Sequence, residues 1–393
     1  MRQKLHYLNY KILVPYLLLV VLGIIMVYSA SSDILLVNGF KPSAYGVRQA
    51  YYAVFALLVA LTVFALRLAV FKNTKFVAWF LGVSMLLLLY LIVLKIFKGS
   101  AAAVNGAVGW IDLKVIKIQP LEIAKLALVI YLAYFLDRHD ASLSRGNNII
   151  NKLSRPAVLA IVMMLLVIVE PDFGGTAILG MIVVVMFAVS GIPARKALFC
   201  LISMGLIVFL VVVLIIKWNP DFLQKNYQFQ RLMSFMHPFE LERKGGAQLV
   251  NSYYAIHNGG LFGVGLGNSM QKRGYLPEPY TDFILAVIAE ELGVIGAIVV
   301  VGLLFYLIWS IMEVGVHASS QFNALLCFGV TTIIFTEALF NIGAVLGLLP
   351  ITGVTLPFIS YGGSSLIVLS ASVGLVLNVS ANERIKKEEE VLE

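Results

Sequence analysis

Residues Tyr275 to Phe283 read Tyr-Leu-Pro-Glu-Pro-Tyr-Thr-Asp-Phe, and an apolar run opens at Ile284, so Asp282 stands where a polar loop becomes a hydrophobic helix. An ionisable group at the lip of a hydrocarbon-embedded helix is costly to desolvate and marks a functional site by default. A carboxylate so placed suits general-base work. A second candidate group opens another apolar stretch, Gln119-Pro120-Leu121-Glu122-Ile123-Ala124-Lys125, with Glu122 and Lys125 one helical turn apart. Two readings stay open for it: a structural pair whose charges offset each other's desolvation, or a cavity lining in which Lys125 meets an anionic headgroup.

Cations gather again between residues 231 and 244, with Arg231, Arg243 and Lys244, and then the neutral Gln248, preceding the glycine-rich string Asn258 to Ser269. Glycines allow close backbone approach and exposed amides that receive phosphate oxygens, although such strings more often serve turns. Glu337 and Asn341 are one turn apart in a later apolar run, and Glu337 reads equally well as a helix–helix hydrogen-bonding group. The segment from Gly347 to Ser365 is dense in Pro, Gly and Ser, including Ser360 and Ser364. Irregular backbone at membrane depth is tolerated where it is buried in protein or lines a wet cavity, so this loop is read as a cavity wall.

These groups need a membrane scaffold to hold them. Hydrophobic residues make up 60% of the 393 positions and only 13% are charged, which excludes an ordinary soluble domain. The expected fold is an all-α integral membrane protein of about ten transmembrane helices, near 12–30, 49–69, 76–95, 120–136, 156–170, 174–191, 196–217, 283–311, 321–345 and 362–380. They form one polytopic domain over 1–393, with a large extracellular loop at 218–282 between the seventh and eighth spans and a tail at 381–393. The first span, with its basic start, is read as uncleaved.

Fifteen Lys and Arg fall in the segments assigned to the inside and six in the short outer loops, which puts both termini in the cytoplasm. The net charge of +8 is explained by this bias, and nucleic acid is not an expected partner. Cys200 and Cys327 lie in apolar runs without metal or disulfide spacing. His6, His139 and His317 fall in segments assigned to the cytoplasm, His237 and His257 lie outside without a spaced carboxylate or cysteine partner, and no Ser/His/Asp, HExxH or Walker pattern is present.

Taken together, Gln119 to Lys125, Pro171-Asp172-Phe173-Gly174, Asn258 to Ser269, Leu276 to Phe283 and Leu356 to Ser365 resemble, in order, the SEDS family of bacterial peptidoglycan polymerases. The stretches Val250 to Tyr254, Gly353 to Pro357 and Lys272 to Tyr275 are more similar to its cell-division branch, of Gram-positive type, than to its elongation branch. Two positions depart from the family pattern: Tyr280 stands where a histidine is usual, and Val108-Gly109 stand before Trp110 where basic residues are common. The second departure shifts the expected headgroup contact to Lys114 or Lys117.

The resemblance implies polymerisation of lipid II at the outer face of the bacterial cytoplasmic membrane, at the division septum. It implies a class B penicillin-binding protein transpeptidase and other membrane proteins of the division machinery as partners. Glycosyl transfer from a pyrophosphate donor needs a base for the acceptor hydroxyl and cations for the leaving group. Asp282 is the expected catalytic base, and Lys125, Glu122, Arg231, Arg243, Lys244, Gln248, Ser360 and Ser364 are the expected substrate contacts. No cofactor is evident; a divalent cation, magnesium or manganese, is left open, with no ligand set assigned. A lipid II flippase and a division scaffold are the competing readings.

Overall fold

The computed structural model describes residues 2–98, 109–112, 117–143, 149–191, 227–242 and 245–392. Its elements are α1 (Arg2–His6), α2 (Tyr10–Val37), α3 (Ala44–Ala65), α4 (Leu68–Phe71), α5 (Thr74–Lys98), the hairpin β1 (Ile111–Asp112) and β2 (Lys117–Ile118), then α6 (Pro120–Leu143), α7 (Ile149–Val169) and α8 (Phe173–Val189). After them come α9 (Tyr227–Met236), α10 (Ala247–Gly259), α11 (Ile284–Val316), α12 (Gln321–Val345) and α13 (Gly363–Leu392).

Six of these helices, α2, α3, α5, α11, α12 and α13, are long and apolar enough to cross a membrane. The chain is a multi-pass helical membrane protein. Helices α6, α7 and α8 stand where the fourth, fifth and sixth spans are expected; the seventh, 196–217, lies outside the described residues. The long loop is more ordered than its polar composition suggests, since it contains α9 and α10.

Local chemistry sets the helix ends. The Asn9 side chain accepts from the Lys11 amide at 3.2 Å, Asp172 from Gly175 at 2.7 Å, and Ser320 from Asn323 at 3.2 Å, each satisfying an otherwise orphaned N–H. Pro120 opens α6, where its missing donor costs nothing.

Helix α13 is the axis of the bundle, buried from Ser364 to Ala381. Small residues let α3 approach it: a Cβ on Gly374 would lie 2.3 Å from the Ala60 carbonyl oxygen, the close packing expected where lipid tails remove the hydrophobic drive between helices. Polar groups tie the remaining neighbours. Tyr16 Oη donates to Ser370 Oγ at 2.7 Å, and Asn378 Nδ2 donates to the Val63 and Leu66 carbonyls at 2.9 and 2.8 Å.

Helix α11 is broken at Gly293, whose φ of 73° and ψ of 178° are not helical. This divides it into a short segment that begins beside Asp282 and a long one that continues to Val316. Cys327 is buried in α12; Cys200 lies outside the described residues.

Candidate active site

The apolar run after Phe283 starts α11, and the Pro- and Gly-rich segment after α12 folds back against the same end of the bundle. Between them, α3, α6, the start of α8 and the β1–β2 hairpin enclose a cavity of about 780 Å³. Asp282, Arg231, Glu122 and Lys125 all line it, together with Arg48, Lys117, Asp172 and Glu278. Groups spread over more than two hundred residues thus share one space.

Asp282 and Arg231 flank the same glycine. A Cβ on Gly353, at φ +77°, would lie 3.2 Å from Arg231 Nη1 and 3.6 Å from Asp282 Oδ2. Arg231 also donates to the Ile351 carbonyl at 3.4 Å, so it joins α9 to the loop after α12. Burial pushes the Asp282 carboxyl up to about 6, with Arg231 pulling it down and Glu278 pushing it up. A carboxylate with that affinity for protons is a better base than an exposed aspartate while still ionised at neutral pH.

The pair in α6 is a triad. Lys125 Nζ reaches Glu122 Oε1 at 2.9 Å and also pairs closely with Glu337 Oε1 of α12, with the lysine side chain only 2% exposed. Among the described residues, one oxygen of each carboxylate, Glu122 Oε2 and Glu337 Oε2, has no hydrogen-bond partner. Two carboxylates thus share the one ammonium of Lys125 at the cavity wall.

Asp172 was legible as part of a motif but not as a site residue. It caps α8 and lines the cavity, and a Cβ on Gly175 would lie 2.2 Å from Leu121 Cδ2 and 3.0 Å from Asp172 Oδ2, so a side chain there would displace Leu121 and crowd the cap. Burial raises the Asp172 carboxyl, and the Gly175 N–H lowers it. Arg48, one of the six cations assigned to the short outer loops, lines the cavity, where its charge acts on Tyr361. Three tyrosines meet nearby, with Tyr45 stacked on Tyr361 at 4.8 Å and edge-on to Tyr280 at 5.1 Å. The Tyr280 that replaces the family's histidine is therefore an aromatic wall residue.

Ser360 and Ser364 are buried and bond to backbone. Ser360 Oγ donates to the Thr281 carbonyl at 2.6 Å and accepts from the Leu356 N–H at 2.9 Å, and Ser364 Oγ accepts from the Gln119 N–H at 3.2 Å. They hold the cavity's frame and are not among its lining residues, nor is Gln248 on α10. Arg243, Lys244 and Lys114 lie outside the described residues.

Two glycines of the string serve close packing. A Cβ on Gly259 would lie 2.0 Å from the Ala289 carbonyl oxygen, and one on Gly263 would lie 2.2 Å from that of Glu291. One histidine expectation needs correction: His237 Nδ1 is 3.6 Å from Glu240 Oε2, a helical-spacing pair on an exposed turn and not in the cavity lining. Among the described residues, no group of three or more His, Cys, Asp or Glu is arranged to hold a metal ion.

A family model named for FtsW, RodA and SpoVE, described as cell cycle protein, matches residues 10–385. The chain belongs to this family. A probable peptidoglycan glycosyltransferase FtsW of Lactococcus lactis subsp. lactis is 37% identical, with 99% of this chain and 96% of the relative covered. Its counterpart in Enterococcus hirae is 39% identical, covering 98% and 95%. Among solved structures, a chain from a study of structural coordination of polymerization and crosslinking by a peptidoglycan synthase complex matches with a TM-score of 0.75 and 28% identity, over 96% of this chain and 98% of that one. The FtsW relatives accord with the division-branch resemblance of Val250 to Tyr254 and Gly353 to Pro357.

Proposed function

We propose that this chain is a peptidoglycan glycosyltransferase of the FtsW type that extends glycan strands from lipid II at the outer face of the cytoplasmic membrane during septal wall synthesis. The observation that carries the reading is the convergence of a proton-affine carboxylate, Asp282, with Arg231 and Arg48 in one cavity. Asp282 takes the proton of the acceptor hydroxyl as its oxygen attacks the anomeric carbon of the donor. The bond from that carbon to the pyrophosphate oxygen breaks, and undecaprenyl pyrophosphate leaves with the electron pair. A single displacement inverts the α-linked donor to a β-linkage, so one base and no nucleophile suffices.

Arg231, Arg48 and Lys117 line the same space and offset the charge developing on the pyrophosphate. The oxygen donors Asp172 and Glu278 suit a hard cation. A magnesium or manganese ion would neutralise pyrophosphate charge, held largely by the substrate itself.

The structural neighbour belongs to a complex that joins polymerization to crosslinking. By extension, this chain works with a class B penicillin-binding protein transpeptidase and with other membrane proteins of the division machinery. Both termini lie in the cytoplasm, and about ten spans cross the membrane.

The test is direct. Purified protein in liposomes, alone and with its transpeptidase, is incubated with lipid II and the glycan products are sized. Polymer is expected from the wild type and none from a folded Asp282→Asn variant, which keeps the shape and loses the base. Absence of polymer under both conditions would favour a flippase or scaffold, and polymer from Asp282→Asn at the wild-type rate would remove Asp282 from the mechanism.

A further inference from the structure

Between α10 and α11 the chain makes a loop whose backbone is built into the break at Gly293. The Val294 and Ile295 N–H groups, which the break deprives of helical partners, donate to the Gly260 and Leu261 carbonyls at 2.9 and 3.3 Å. In return, the Glu290 and Glu291 carbonyls accept from Val264 and Gly265 at 3.0 Å each. Further bonds run from Gly263 N to the Gly259 carbonyl at 2.8 Å and from Lys272 Nζ to the Gly267 carbonyl at 2.8 Å. At these positions the backbone polarity of the loop is consumed within the protein.

Its side chains point the other way. Phe262 is 81% exposed and Leu261 63%, with Leu266 and Met270 also more than half exposed. This patch continues the outward stripe of α11, in which Ile295, Ile298 and Trp309 are exposed.

The depth of the patch follows from helix geometry. Glu313, paired with the exposed Lys11 at 3.3 Å, marks the polar end of α11, and Trp309 one turn earlier is the kind of residue that anchors a span at an interface. Ile295 stands 14 residues from Trp309, about 21 Å along the axis at ~1.5 Å per residue. That is less than the ~30 Å thickness of the hydrocarbon. The loop welded to Ile295 therefore stands within the opposite leaflet. Irregular backbone is admitted at such depth where protein satisfies its polar groups, as the Gly259–Gly265 and Glu290–Ile295 bonds do here.

We propose that residues 261–270 form a rigid apolar wedge seated among the acyl chains of the membrane leaflet on the Asp282 side, and not a loop in water. The occupant of the patch is lipid. Asp282 begins the short half of α11, whose far end is welded to this loop, so the wedge fixes the height of the carboxylate relative to the headgroups.

The test places single cysteines at Phe262 and Leu266 in full-length protein whose Cys200 and Cys327 are replaced by alanine, labels them with bimane, and reconstitutes the protein in phosphatidylglycerol vesicles. Ile298→Cys serves as the lipid control and Glu390→Cys, in the exposed tail, as the aqueous one. Both loop probes should be quenched by doxyl-labelled lipid as strongly as the probe at 298, and quenched by iodide several-fold less than the probe at 390. Iodide quenching equal to that at 390 would overturn the proposal, and so would protection from both quenchers, which would mean a protein partner or second copy covers the patch. Two sites keep the test open if either cysteine disturbs folding.

Discussion

Asn341 Nδ2 donates to the main-chain carbonyl of Asp282 at 2.8 Å and to that of Val354 at 2.8 Å. One amide on α12 thus fastens the carboxylate-bearing residue to the cavity wall opposite it. The two preceding carbonyls are held in the same way, Thr281 by Ser360 Oγ at 2.6 Å and Tyr280 by the Tyr361 N–H at 2.9 Å. With three successive carbonyls fixed, the direction of the Asp282 side chain is set before substrate arrives.

Removing the clamp should therefore damage turnover more than binding. Asn341→Ala is expected to lower kcat about 10- to 100-fold, or ~1.4–2.7 kcal/mol of barrier, with KM for lipid II little changed. Asn341→Asp should do no better, because it turns carboxylate oxygens toward two carbonyl oxygens. Steady-state polymerisation kinetics check both variants, and a variant that alters only KM would place Asn341 in substrate binding.

The proton affinity of Asp282 makes a signed prediction. The ionised form is the base, so the rate should rise with pH through about 6 and level off above it. Arg231 holds this carboxyl down and Glu278 pushes it up. Arg231→Gln should accordingly move the inflection to higher pH, and Glu278→Gln to lower pH. Profiles of kcat/KM between pH 5 and pH 8, which report the free enzyme, read the order directly for the three proteins; Arg231→Gln will also lower the plateau if it contacts the leaving group.

The buried triad predicts an asymmetric cost. Lys125→Met leaves Glu122 and Glu337 facing each other without their shared cation, a loss of about 3–5 kcal/mol for a broken buried pair. Adding Glu337→Gln should restore much of the folded protein. Exchanging Glu122 with Lys125 should fail as well, since the new carboxylate at 125 meets Glu337. Thermal unfolding in detergent distinguishes these outcomes, and full stability of Lys125→Met would show that the triad contributes nothing.

Asp282 was legible because its sequence neighbours, a proline-broken loop and an apolar helix, already define its setting. Glu122 and Lys125 were visible as a pair, but Glu337 joins them across 212 residues, and local spacing carries no information about such a partner. The glycine string was readable as close approach or anion binding; only the positions of the Ala289 and Glu291 carbonyls decide for packing. Arg48 looked like an ordinary outer-loop charge because the folding of α3 against α13, which brings it to the cavity, is set by small residues such as Ala60 and Gly374. The break at Gly293 falls just after Glu290 and Glu291, inside a run otherwise apolar enough to read as a single span.

The orientation of the whole assembly is the last expectation to meet experiment. Positive charge is concentrated in the segments assigned to the cytoplasm, which puts α9, α10 and the mouth of the cavity outside. Ser269 cannot report this, since it is buried and bonds to Glu290. Glu240, with a side chain 79% exposed, can report the outer side, and the exposed His317 at the end of α11 can report the inner one. In protein lacking Cys200 and Cys327, Glu240→Cys should label with an impermeant maleimide in intact cells, and His317→Cys only after permeabilisation. The opposite pattern would put Asp282 on the leaflet where the transferred saccharide is not presented, and the glycosyl transfer derived from this cavity would lose its base.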